Sequence, residues 1–175
     1  MHSVELVLDD RTDTIIREQW TALLAAGLPS QARHRGASNR PHITVALAES
    51  LDAADLAGLR DAASALPLPV TVGGLLLFGS RRFVLSRLAV PSAEVLRLQS
   101  DLVAALAVPA NPHATFSAGR WTPHVTLARR LTSDQVAIAV EVLGDVPALT
   151  GTLTSARRWD MVAKHEEWIK PSERS

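Results

Sequence analysis

Cysteine is absent from the 175 residues. The missing thiols exclude a disulfide framework, a thiolate nucleophile and a cysteine-bound zinc or iron–sulfur centre. They fit a reducing compartment, so a cytoplasmic location is expected. An excess of either charge is missing too, since eighteen basic residues balance eighteen acidic ones. A protein that grips long duplexes needs a basic footprint to displace counterions, so any nucleic-acid ligand is expected to be small or locally held. No apolar run approaches the ~18 residues of a membrane span. Glu5, Asp9 and Asp10 interrupt the stretch where a signal peptide would carry its apolar core. What is present, 47 % hydrophobic residues, suffices for one domain or for two small lobes sharing a core.

Histidine is scarce, six in all, yet two histidines share nearly identical surroundings: RPHITVAL at 40–47 and TPHVTLAR at 122–129. Sliding the chain over itself by 82 positions lays Pro41 on Pro123, His42 on His124, Thr44 on Thr126, Ser50 on Thr132 and Asp52 on Asp134. After each motif comes a helical stripe, Leu56, Leu59 and Ala63 in one half and Val136, Val140 and Leu143 in the other. Thr132 with Gln135 has the form of a capping box. Strand-like sequence follows each helix.

Upstream the match needs a shift of 79. Ile16, Trp20, Leu23 and Leu24 mark one helix face; Val95, Leu98, Leu102, Val103 and Leu106 mark its counterpart, with Ser92 as its cap. Each of these helices follows a short strand, over 4–8 or 83–90, and precedes a long loop, over 27–40 or 109–121. Such loops are often functional. The unit is strand, helix, loop, histidine strand, helix, hairpin, written twice. This predicts an α+β fold over 1–175, a single bilobal domain with halves of roughly 1–82 and 83–175. Two lobes related by a pseudo-twofold axis each carry a mostly antiparallel sheet with helices outside, and a cleft lies between them.

Alternation along a strand sends His42 and Thr44 to one face and Ile43, Val45 and Leu47 to the other, into the core. The α-carbons of His42 and Thr44 then lie ~6–7 Å apart, within reach of one oxyanion. Two such faces supply two imidazoles and two hydroxyls. Displacement at phosphorus is in line and asks for a base on one side and an acid on the other. Imidazole serves both, because its ordinary pKa of ~6.5 leaves both forms accessible. Threonine hydroxyls can donate to the non-bridging oxygens. Neither a metal nor a covalent intermediate is required.

A lone His-x-Thr means little, since six histidines and twelve threonines in 175 residues give about 0.4 such pairs by chance. A third instance, His113 to Thr115, lies in a turn-rich segment without a repeat partner and reads as a solvated loop. Duplication alone can also preserve a structural histidine that bonds a backbone carbonyl in each half.

With these residues in view, the chain resembles the two-histidine (2H) phosphoesterases, whose hallmark is a pair of His-x-Thr motifs flanked by aliphatics. Within that superfamily it looks like the bacterial 2'-5' RNA ligase, or RNA 2',3'-cyclic phosphodiesterase, branch. The likeness spans the opening strand, both motifs, GGLLLF at 73–78 and RRWDMVAKHEEWI at 157–169. The resemblance implies that His42 and His124 are the acid and base and that Thr44 and Thr126 bind phosphate. Arg129, five residues after the second histidine, matches a phosphate or nucleotide contact; as a bare arginine it reads equally as a solvated strand end. Leucine stands at the equivalent position 47, so the halves differ in charge, and the sequence leaves open which histidine is acid and which is base. The implied substrate is an RNA terminus or small nucleotide bearing a cyclic phosphate, opened to a 2'-phosphate, with reversible 2'-5' ligation when an RNA hydroxyl replaces water.

Phe83, Phe116, Trp121 and Trp159 are candidates for base stacking or for core. Arg33, His34, Arg35 and Arg40 make the first loop basic, which either guides a phosphate or is merely solvated. Three rivals stay open: a binding module of the same fold, a metal hydrolase, and a phosphodiesterase for another cyclic phosphate or a 2'-5' oligonucleotide. The metal reading lacks a His-Glu-x-x-His run, and no carboxylate stands two or four places after His42 or His124. No metal, no cofactor and a monomer are therefore expected.

Overall fold

The computed structural model describes residues 1–106, 116 and 119–171; His113 lies outside them. The order is β1 (His2–Leu8), α1 (Asp10–Ala25), β2 (His42–Ala48), α2 (Ala53–Ala62), β3 (Leu68–Phe78), β4 (Phe83–Val90), α3 (Ala93–Ala104), β5 (His124–Leu131), α4 (Ser133–Leu143), β6 (Leu149–Asp160) and β7 (His165–Lys170). All neighbouring strands are antiparallel, and the seven form one sheet folded into two lobes. One lobe reads β2-β1-β6-β7, the other β5-β4-β3-β6. The long β6 serves both: Leu149–Leu153 pairs with β3, and Leu153–Asp160 pairs with β1. The lobes meet again at a single bridge, Ile43 with Val125, at the centre of the two histidine motifs.

Helices α2 and α3 pack together over β2, β3 and β7, whereas α1 and α4 pack together over β4, β5 and β6. Each helix that precedes a histidine strand therefore covers the opposite lobe. The caps follow the sequence. Ser92 accepts from the Val95 amide, Thr132 and Gln135 form the expected capping box, and Asp52 forms a second one with Asp55. No described helix is long and apolar enough to cross a membrane.

Two helix faces are narrower than expected. In α1, Thr12, Ile16, Trp20 and Leu23 are buried while Leu24 is 37 % exposed. In α4 the buried residue is Ala139, and Val140 is 45 % exposed. At 100° per residue Leu24 and Val140 each stand at the solvent margin of their stripe.

The histidine strands also depart from simple alternation. Glu5 pairs with Thr44 but Val4 pairs with Ala46, so Val45 is an extra residue, a β-bulge. On β5, Ser86 pairs with Thr126 and Leu85 with Ala128, making Leu127 the extra residue. The bulges stand 82 positions apart, the period of the repeat. Beyond the first bulge the parity flips, so Ala46 and Ala48 are buried and Leu47 is only half-buried. Ile43, Val45, Val125 and Leu127 are fully buried, each contributing about 1.5–3 kcal/mol by leaving water.

Candidate active site

The bulged strands are pinned by hydrogen bonds from the opposite half of the chain. The indole N–H of Trp20, on α1, donates to the carbonyl of Thr126 at 2.9 Å, and that of Trp121 donates to the carbonyl of Thr44 at 3.0 Å. Both threonines immediately precede the extra residue of their bulge. Gln99, the counterpart of Trp20 at a shift of 79, is buried on α3 and reaches the carbonyls of Phe116 at 2.8 Å and Val45 at 3.5 Å. Trp121 is thereby a positioning side chain, not a stacking surface. Phe83 and Phe116 pack against the core.

Each motif histidine commits the same ring nitrogen in the same way. Nδ1 of His42 donates to the carbonyl of Arg40 at 2.7 Å, and Nδ1 of His124 to that of Thr122 at 2.8 Å. A carbonyl only accepts, so Nδ1 carries a proton in both rings and Nε2 is the nitrogen left for chemistry. The register that pairs Ile43 with Val125 runs His42 toward Thr126 and Thr44 toward His124. Each histidine thus stands near the register position opposite the threonine of the other half.

The surroundings of the two rings differ sharply. Glu5, buried on β1 across from Thr44, places Oε1 3.6 Å from Nε2 of His42, an ion pair only while that ring is charged. The carboxylate also accepts from Ser3 Oγ at 2.6 Å and pairs with Arg157 at 2.8 Å. Arg157, equally buried, continues to Glu166 at 2.6 Å and to the carbonyl of Ser38. Arg40 contacts Glu166 and lies 5.1 Å from the Trp168 ring centroid, so it belongs to this framework and is not a free cation of the loop. Removing one member of a buried pair such as Glu5–Arg157 typically costs about 3–5 kcal/mol.

At the cross-strand position equivalent to Glu5, facing Thr126, the second lobe has Ser86. Its hydroxyl is fully buried without a hydrogen-bond partner among the described residues. His124 rests against Phe78, ring centroids 4.6 Å apart. Burial is the main cause that lowers the His124 pKa below 6.5; the Thr122 carbonyl opposes it, and the charges of Arg129 and His42 add to the lowering.

A cleft of about 630 Å³ opens beside the motifs. Of the residues singled out in the sequence, His42, Thr44, Arg129, His34, Arg35 and Trp159 line it. His124 and Thr126 stand on the adjoining strand outside that lining, joined to it at the Ile43–Val125 seam. Arg129 is brought in by the first loop: its amide donates to the Pro29 carbonyl at 3.3 Å, and Ser30 bridges Ala128. That loop has structure of its own. Ser30 donates to the Trp20 carbonyl, and Asn39 ties the carbonyls of Gln31 and His34.

Sequence reasoning missed Glu5 and Arg157. The signal was a carboxylate on the polar side of the alternating strand HSVELVL, but its partner is 152 residues away. Among the described residues no cluster of three or more metal-ligating side chains occurs.

No curated protein sequence matches the chain. The fold matches that of E. coli LigT complexed with NADP+, with a TM-score of 0.56 at 18 % identity, covering 98 % of this chain and 94 % of that one. It also matches Kluyveromyces marxianus Usb1, with a TM-score of 0.51 at 11 % identity over 97 % of each chain. At these identities the likeness concerns the fold. The model of the 2'-5' RNA ligase superfamily matches residues 13–164, a span that holds both histidine motifs, and the chain belongs to that superfamily.

Proposed function

We propose that this protein is a metal-independent cyclic phosphodiesterase that opens a 2',3'-cyclic phosphate on a nucleotide or RNA end to the 2'-phosphate. His124 is the base and His42 the acid. The observation that carries the reading is the matched pair of Nδ1–carbonyl hydrogen bonds, which leave one Nε2 per half available across the central seam. The asymmetry assigns the roles. Burial favours neutral His124, the form that accepts a proton, and leaves His42, whose Nε2 lies 3.6 Å from the Glu5 carboxylate, to serve as the acid.

Neutral His124 takes a proton from water as the water oxygen bonds to phosphorus. The bond from phosphorus to the 3' oxygen breaks on the opposite side, and His42 gives that oxygen its Nε2 proton. The hydroxyls of Thr44 and Thr126 donate to the non-bridging oxygens, and Arg129 offsets their charge. Proton exchange with solvent resets both rings. An RNA 5'-hydroxyl in place of water gives a 2'-5' linkage by the same steps.

A panel of 2',3'-cyclic nucleotides, other cyclic phosphates and 2'-5' dinucleotides tests this, with the product isomer assigned by phosphorus NMR. The expected result is a 2'-phosphate, chelator-resistant turnover, and a loss of about 10²–10⁴-fold in kcat/KM for His42→Ala and for His124→Ala. Absence of turnover across the panel by folded protein would leave a binding module.

A further inference from the structure

The cleft is lopsided in a way the symmetric motifs do not require. Apart from Arg129 on β5, its walls come from the first lobe, the loop before β2 and the turn after β6. On the first lobe's cleft-lining face stand Glu5, Arg157 and Trp159; the residues at equivalent register positions in the second lobe are Val84, Ser86, Leu88 and Phe78. In the opening of a 2',3'-cyclic phosphate both ester oxygens belong to one ribose. The nucleoside must then lie on the side of the acid, His42, and the water on the side of His124. Whatever chain precedes that nucleoside runs into the first-lobe trench.

Three features there are unused by the chemistry already described. Trp159 lies on the cleft face of β6, across from Ser3, and is half-buried. The indoles of Trp20 and Trp121 are committed to threonine carbonyls, whereas that of Trp159 has no hydrogen-bond partner among the described residues. Arg35 and Lys164 line the same trench, exposed and without an ion pair to a described residue, while Arg40 and Arg157 are both matched by carboxylates. Lys164 closes the β6–β7 turn with φ of 55°, a conformation that favours glycine. A cation kept where glycine fits better is placed there at a cost in local stability.

We propose that this end of the cleft is a subsite for the nucleotide that precedes, on the 5' side, the one bearing the cyclic phosphate. Trp159 stacks on its base, and Lys164 and Arg35 hold the phosphodiester beyond it. The ligand is single-stranded RNA, whose bases are free to stack and whose backbone carries the charge. The inference rests on the reading of His42 as the leaving-group acid, and it makes the preferred substrate an RNA end, not a free cyclic mononucleotide.

The test compares kcat/KM for a cyclic mononucleotide and for a trinucleotide ending in a 2',3'-cyclic phosphate. The trinucleotide is expected to win by about tenfold or more, mainly through KM. Trp159→Leu and Lys164→Gly are each expected to reduce that ratio several-fold. Lys164→Gly should keep or raise Tm, because glycine adopts this φ freely, which separates a binding role from a structural one. Equal kcat/KM for both substrates overturns the subsite and leaves the phosphodiesterase reading intact. If nothing turns over, calorimetry with a trinucleotide and a mononucleotide ending in 2'-phosphate decides the subsite alone. Tighter trinucleotide binding that Lys164→Gly weakens supports it; equal binding, or an advantage that the variant keeps, overturns it.

Discussion

For a histidine to act as base it must be neutral at the working pH, and His124 is the ring whose pKa is lowered, first by burial and then by the charges of Arg129 and His42. The acidic limb of kcat/KM is therefore expected below the ordinary value of about 6.5. Arg129→Gln removes one lowering charge, so that limb should move upward. The move should be small, since Arg129 is exposed and burial is the larger cause. A pH profile of the variant whose limb stayed in place or moved downward would count against Arg129 acting on the base. At this scale His42, His124, Thr44 and Thr126 were legible because they recur at one spacing. The division of labour between the histidines was not. The proposed roles rest on the burial of His124 and on Glu5 facing Thr44 where Ser86 faces Thr126, a difference carried by strands whose pairing the sequence does not display.

The histidine strands depend on how helix and sheet approach each other, and Gly151 marks the closest approach. A Cβ there would collide with Thr12 Oγ1 and meet Asp9 Oδ2 at 2.9 Å. Asp9 caps α1 through the Thr12 amide at 2.9 Å and also accepts from the Thr152 amide on β6. Gly151→Ala is expected to displace the cap and to lower stability by about 1–2 kcal/mol, read by denaturant unfolding at unchanged m-value. An unchanged midpoint would mean the cap yields freely. Helices, caps and strand order of the repeat were legible because 3.6-residue stripes and capping pairs are local. The bulges at Val45 and Leu127 were not, because an extra residue on one strand is defined only by its partner: ITVAL reads as plain alternation, which is why Leu47 was expected in the core. The shift between repeats drifts for a similar reason. The N-caps Asp9 and Ser92 differ by 83 positions but the C-caps Ala26 and Ala105 by 79. So α3 is four residues, about one turn, shorter than α1, and the sequence match survives only in the half nearer the C-cap.

Across the whole molecule the two halves are interleaved: β3 completes the second lobe, the end of β6 and β7 complete the first, and α1 and α3 each cover the opposite lobe. Unfolding of one lobe should then expose the histidine of the other, which ties the protonation of His124 to global stability. The folded pKa of His124 lies below the unfolded value of ~6.5, so between the two the unfolded chain binds more protons than the native one. Stability is complete above about pH 6.5 and declines as pH falls toward the folded pKa. His2, whose pKa is also lowered mainly by burial, adds to the same slope. The carboxyl of Asp9, lowered by its hydrogen bonds to Thr12 and Thr152 despite the opposing effect of burial, takes over in a separate window below the ordinary carboxylate range. His124→Gln keeps a polar side chain that does not titrate. Its Tm is expected to fall less than that of the wild type between pH 7.5 and pH 5.5, while its response below pH 4 is retained. An equal fall across the upper window would show that His124 opens to water without unfolding, and the two lobes would then not be locked together through the seam at Ile43 and Val125.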